Sequence, residues 1–154
     1  MKLFWTWKTF EQITAPEMHE ILSVRQSVFV VEQQSPYQDA DEWDKKSWHF
    51  VGRGPDESIV AYARIRFPDE HHSYPSIGRF LVLPEYRRCG LGSGILRHCL
   101  NKCTEEYPDM NVCISAQTRL VDFYTRFGFQ KITQPYDDGG VEHVDMLMQR
   151  KPVV

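Results

Sequence analysis

Nowhere in this 154-residue chain does an apolar run approach the eighteen or so residues that a membrane-crossing helix needs. The opening stretch MKLFWTWKTFEQ is apolar only briefly, interrupted by Lys8 and Glu11, and has neither a signal-peptide core nor a small-residue cleavage site. Cysteine is scarce: Cys89, Cys99, Cys103 and Cys113 could pair in three ways. Without a secretory signal they are expected as reduced thiols in a cytoplasmic protein. Cys99 and Cys103 stand one helical turn apart in the apolar stripe Ile95, Leu96, Cys99, Leu100, Cys103, which points to burial rather than metal ligation, and no metal site is expected. The pair His71 and His72 sits in PDEHHSYP, a solvated turn by composition. Excess charge of one sign is also missing: the net charge of −3 gives no global attraction to nucleic acid or to an anionic membrane. Internal repeats and low-complexity linkers are absent.

What remains is an ordinary globular composition, 42% hydrophobic and 25% charged. One domain over residues 1–154 is expected, able to bury about two-thirds of its unfolded surface. LFWTWK alternates as a first strand should, and its alternation places the tryptophans in the core. Thr14, Pro16 and Glu17 have the spacing of a capping box with proline in the first turn, followed by Met18, Ile21, Leu22, Arg25, Val28 and Phe29 at helical intervals. The carboxylate-rich stretch from Glu32 to Lys46 reads as a loop or short second helix. Strands are expected at 47–52, 59–67 and through SIGRFLVL, then a helix to about Tyr107 and a buried strand NVCISA. TRLVDFYTRF reads as a short helix closed by Gly128, and two strands around DDGG finish the chain. Strands and helices in this order imply an α/β protein with a mixed sheet covered by helices.

The segment RRCGLGSGIL, residues 87–96, carries three glycines between a proline turn and a helical run. Glycines let main-chain amides approach a ligand, and a helix beginning near Gly92 adds its free N–H groups and dipole, so the segment predicts an anion site. A P-loop would need Lys and Ser or Thr after its last glycine, where Ile95 stands. A dinucleotide fingerprint would need a third glycine at Ile95 and an acidic residue after the next strand, and neither is present.

LVLPEYRRCGLGSG resembles the acetyl-CoA-binding motif of the GNAT N-acetyltransferases, with Arg87, Gly90 and Gly92 matching residue by residue. QTRLVDFYTRFGF resembles that family's second motif at Tyr124, Gly128 and Phe129, with Gln117 where the family usually has Asn. RQSVFVVEQQSPYQDADEWDKKSWHF and YDDGGVEHVDM are similar to segments of the ElaA-type branch, departing from it at GGVEH, where Ile and Pro would be expected in place of Gly140 or Glu142. The resemblance implies the acyl-CoA N-acyltransferase fold: a central, mostly antiparallel sheet splayed between its fourth and fifth strands, flanked by about four helices, with acetyl-CoA as co-substrate in the gap. It implies that the main chain of Phe80, Leu81 and Val82 meets the pantetheine arm and that an amide near Leu81 or Val82 steadies the oxyanion. The amides of Arg88, Cys89, Gly90, Leu91, Gly92 and Ser93 would hold the pyrophosphate, with Arg87 and Arg88 adding charge and Gln117 on the cofactor side. Tyr124 would protonate the departing thiolate, although its aromatic neighbours also suit a core role.

An amine acceptor is mostly ammonium at pH 7, so a group must take its proton. Glu32, Asp41, Asp44, His49, Glu142 and His143 are the candidates, with Glu32 and His143 placed first by their positions in the ElaA-like segments. The carboxylates from Glu32 to Asp44 would suit a cationic acceptor or a merely solvated loop. The acceptor is a small-molecule or peptide amine not specified further, and a homodimer through the final strands is a family analogy only. A non-catalytic acyl-CoA-binding or sensing module is the alternative, as it needs the anion loop but not Tyr124.

Overall fold

The computed structural model describes residues 2–150. Its strands are β1 (Phe4–Thr9), β2 (Ser47–Arg53), β3 (Ile59–Arg66), β4 (Ser76–Val82), β5 (Val112–Gln117), β6 (Gln130–Lys131), β7 (Tyr136–Asp138) and β8 (Val141–Met148); its α-helices are α1 (Ala15–Arg25), α2 (Leu91–Glu106) and α3 (Val121–Thr125). The strands form one sheet in the order β1-β2-β3-β4-β5-β8-β6, with β7 on β8. Every pairing is antiparallel except β4 with β5. That parallel pair is the one bridged by α2, as a strand-helix-strand unit requires.

Local signals start the elements where the sequence places them. Thr14 Oγ1 accepts from the Glu17 N–H at 3.3 Å with Pro16 in the first turn, so α1 begins with one of its free amides satisfied. The Glu17 carboxylate does not fold back on Thr14; it pairs at 2.8 Å with both Lys8 and Arg53, fastening α1 to β1 and β2. Past Arg25 the helix loosens into a π-helical turn over Gln26–Glu32. Three α-helices and this turn therefore stand where about four helices are expected.

The sheet is covered on both faces. Ile21, Val28 and Phe29 pack with Val51, Ile59, Tyr62 and Leu81 on one side. On the other, Ile95, Leu96, Cys99 and Cys103 of α2 join Phe50, Ala61, Ile77, Val112 and Ile114. β3 lies between, buried from Ile59 through Ile65, which is why it shows no alternation. Burying each such Ile or Leu stabilises by roughly 1.5–3 kcal/mol. Cys99 and Cys103 are free, buried thiols, and burial pushes Cys103 up to about 12. One expectation fails at the margin: β1 is an edge strand, and Trp5 is 46% exposed, resting on His98 of α2 with ring centroids 4.3 Å apart. A strand with one neighbour and a partial roof leaves half of its pattern in solvent.

Candidate functional site

β4 and β5 stay in register for only two pairs, Ser76 with Cys113 and Ile77 with Ile114, and then diverge. The cause is visible on the other side of β4. Arg64 lies opposite Gly78 and Tyr62 opposite Leu81, so Arg79 and Phe80 together face Ala63 alone. This extra residue is a bulge, with Arg79 in the left-handed region at φ 49°, and it bends β4 away from β5. From Gly78 onward β4 has no ladder partner on its β5 side.

A cleft of about 350 Å³ fills the opening. Among its walls are Phe80, Leu81 and Val82 of β4, Gln117 of β5, Arg87, Gly92, Tyr124 and His143, so eight residues expected at the site meet in one place. At one end the loop after Pro84 delivers the start of α2. Gly90 is the N-cap, and its φ of 82° is open to glycine at little cost. At Gly92 a Cβ would come no closer than 3.8 Å to Phe123, so the protein's own packing does not demand a glycine there; the small residue leaves room for a group approaching the free amides of the first turn. Cys89, Leu91 and Ser93 belong to the same turn, where the Cys89 thiol donates to the Tyr86 carbonyl at 2.9 Å. The free amides at this end of the cleft suit an anionic group.

The two arginines divide. Arg87 Nε donates to the Val82 carbonyl at 2.8 Å, while its two terminal nitrogens donate to Glu32 at 2.7 and 2.9 Å. Glu32 and Arg87 are thus brought together as a bidentate pair joining the π-helical turn to the end of β4. The hydrogen bond from Arg87 holds the Glu32 carboxyl below its usual range, which lowers its strength as a base. Arg88, exposed at φ 65°, makes no ion pair among the described residues, so its guanidinium is available to an anion.

Tyr124 is buried, edge-on to Phe123 and Phe129, and still lines the cleft; burial raises its phenol pKa, so it stays protonated and able to donate. It serves the core and the cleft at once. His143 lies opposite Gln117 in the β5–β8 ladder, and its Nδ1 is 2.7 Å from the Val141 carbonyl. A carbonyl can only accept, so Nδ1 carries a proton, and Nε2 makes no hydrogen bond among the described residues. Gln117 Oε1 accepts from Arg119 Nε at 3.0 Å.

The remaining base candidates lie elsewhere. Glu142 accepts from Thr118 Oγ1 at 2.9 Å on the far side of β8. Asp41, Asp44 and His49 belong to an ion cluster beneath β4. Arg25 donates from Nη1 to Asp44 at 2.6 Å and from Nε to Asp39 at 2.8 Å. Arg64 reaches Asp41 at 2.7 Å and Asp44 at 2.8 Å. Arg79, the bulge residue, donates from Nη2 to the Asp39 carbonyl at 3.0 Å, while its Nε lies 2.8 Å from Asp39 Oδ1 but off the hydrogen-bond direction. Three aspartates are therefore met by three arginines, and this part of the acidic stretch is neither a solvated loop nor a cationic acceptor's rim. His49 is fully buried, with Nε2 2.8 Å from the Asp44 carbonyl and Nδ1 2.7 Å from Tyr62 Oη, and burial lowers its pKa.

Five polar residues that line the cleft escape a reading of the sequence: Gln33, Arg79, Ser115, Arg119 and Asp138. Arg79 follows Gly78 inside an apparently regular strand, and Asp138 belongs to a turn-forming DDGG, so neither carries a local signal of a site.

Residues 11–150 match the model of the acetyltransferase (GNAT) domain. The chain belongs to the GNAT family. Within GNAT it is of the ElaA type: Escherichia coli ElaA is 36% identical over 140 residues, spanning 90% of this chain and 91% of that protein. A UPF0039 protein of Synechocystis is 46% identical over 152 residues, 99% of each chain. Among solved structures, an acyl-CoA N-acyltransferase from Pseudomonas aeruginosa superposes with a TM-score of 0.90 at 32% identity, covering 96% of this chain and 99% of that one. The Escherichia coli ElaA crystal structure superposes at 0.89 and 33% identity over 96% of this chain and all of the other. This GNAT protein is accordingly an acyltransferase, and the splay between β4 and β5 is the opening these structures share.

Proposed function

We propose that the chain, as one domain, transfers an acetyl group from acetyl-CoA directly to a primary amine of a small molecule or peptide. The observation that carries this reading is the opened β4–β5 pair, with an unpaired strand edge, the N-terminus of α2 and a protonated phenol around one cleft.

Each part has a separate task. The free edge of Phe80, Leu81 and Val82 offers main-chain hydrogen bonds to the pantetheine amides, and an amide near Leu81 or Val82 stabilises the charge developing on the carbonyl oxygen. The first-turn amides of α2 and Arg88 hold the pyrophosphate. Arg87, tied to Glu32, fixes the end of β4 to the π-helical turn. Tyr124 gives its proton to the thiolate that leaves, and His143 Nε2 faces the side where an amine must shed one. Acetyl-CoA itself supplies the activated acyl group.

Thermal unfolding with acetyl-CoA, and with NADH and ATP as controls, tests the cofactor half. At a hundred times its dissociation constant acetyl-CoA stabilises by about 2.7 kcal/mol, or roughly 5–10 °C. Tyr124→Phe tests the chemistry: it should keep that shift and lose roughly 10²–10⁴ in kcat. A variant that binds and transfers as the parent does would remove Tyr124 from the chemistry, whereas a parent that binds acetyl-CoA and transfers to no amine would leave only acyl-CoA binding standing.

A further inference from the structure

Ser115 and Asp145 stand opposite each other in the β5–β8 ladder, on the same sheet face as Gln117 and His143. Tyr136 of β7 reaches across them. Its ring stacks on His143 with centroids 6.2 Å apart, and its hydroxyl lies 2.6 Å from Ser115 Oγ and 2.5 Å from Asp145 Oδ1. The polarity of this chain follows from its end. An ionised carboxylate only accepts, so Tyr136 donates to Asp145; the phenol oxygen is then the acceptor for Ser115, which donates to it. Ser115 Oγ lines the cleft with its remaining lone-pair capacity, an acceptor presented to whatever N–H enters. Ser115 and Tyr136 are exposed and Asp145 is half-buried, so the chain runs from the open cleft inward to a carboxylate that still meets solvent.

Resting on the transferase reading above, we propose that Ser115, Tyr136 and Asp145 form a proton-exit relay for an alkyl primary amine that arrives in the cleft as its ammonium ion. The step balances in protons. The amine N–H bond breaks as a bond forms to Ser115 Oγ; the Ser115 proton passes to Tyr136 Oη, the Tyr136 proton to Asp145 Oδ1, and Asp145 releases a proton to water. The need for such a path is chemical, because an alkylamine is neutral at pH 7 in about one molecule in a thousand. His143 offers a nitrogen at the neighbouring ladder position, but the hydrogen-bonded chain that ends on a carboxylate starts at Ser115. Ser115 touches the acceptor, whereas Tyr136 and Asp145 act through it.

The test compares ethylamine, cationic at pH 7, with methoxyamine, of nearly the same shape and already neutral there, in CoA-release assays corrected for the uncatalysed reaction. Tyr136→Phe should lose at least tenfold in kcat/KM with ethylamine and less than threefold with methoxyamine. Ser115→Ala, which leaves the Tyr136–Asp145 bond in place, should show the same selectivity. Both variants should keep the parent's thermal shift with acetyl-CoA, since neither residue meets the pyrophosphate turn. Equal losses with both amines would mean a merely structural role, and no loss with either would leave His143 as the base; each result overturns the relay. A parent enzyme inert toward both amines would instead overturn the transferase reading, and the relay with it.

Discussion

Replacing Arg25 with methionine should remove the keystone of the ion cluster. Arg25 is fully buried and makes three charge-assisted contacts, to Asp39 Oδ2, to Asp44 Oδ1 and to the Asp39 carbonyl, at 2.8, 2.6 and 2.8 Å. Breaking one side of a buried ion pair costs about 3–5 kcal/mol, because the partner charge stays buried without compensation. Asp39 keeps Arg79 and Asp44 keeps Arg64, so Arg25→Met belongs near the lower end, about 3 kcal/mol, which for a domain of this size is roughly 6–12 °C in Tm. Urea titration and circular dichroism melts measure this directly. Adding Asp39→Asn should cost less than the sum of the single changes, by about 0.5–3 kcal/mol, since the neutral amide no longer needs a cation. The pH dependence has a definite sign. Burial opposes the Asp44 charge, but the hydrogen bonds and charges of Arg25 and Arg64 outweigh it and hold the carboxyl below its ordinary range. The cluster's contribution is therefore present above the ordinary carboxylate range and is lost as pH falls through the depressed value. A fall in Tm under about 2 °C, or strict additivity with Asp39→Asn, would refute the view that this cluster is a closed set of mutually dependent charges.

Other outcomes follow from single residues. His49 is held neutral by burial, so the unfolded chain takes up a proton near pH 6.5 that the folded chain refuses; stability should fall below that pH with a slope approaching about 1.4 kcal/mol per unit. In His49→Gln, urea titrations at pH 7, 6 and 5 should show that slope reduced. Gly92→Ala should weaken the acetyl-CoA thermal shift while moving the Tm of the free protein little, because the added Cβ meets no closer neighbour than Phe123 at 3.8 Å. Gly90→Ala acts through the backbone instead: at φ 82° a Cβ costs roughly 1–2 kcal/mol, which would register as a lower Tm without ligand.

Much of the scaffold was legible because its signals are local. Thr14 and Pro16 mark a helix start by hydrogen bonding and ring geometry within four residues, and Gly90 and Gly128 announce their positive φ by being glycine. The wall of the cleft built by β4 and the turn 87–93 was legible for the same reason, since these residues are contiguous in the chain. The places of the carboxylates were not. Glu32 reads as a free base until Arg87, 55 residues away, is found on it, and Asp41 and Asp44 read as solvated until Arg25 and Arg64 arrive from other elements. Trp5 reads as core until its strand proves to be the sheet's edge.

The sequence by itself determined which segments become strands and helices and where α2 begins, since each of these depends on the covalent geometry of neighbouring residues. Tertiary structure alone decided which carboxylates are spent on buried arginines, where one extra residue at Arg79 prises β4 from β5, and which oxygens of Ser115, Tyr136 and Asp145 fall into line. Those outcomes depend on distances between groups far apart in the chain, and only the packing of the sheet sets such distances.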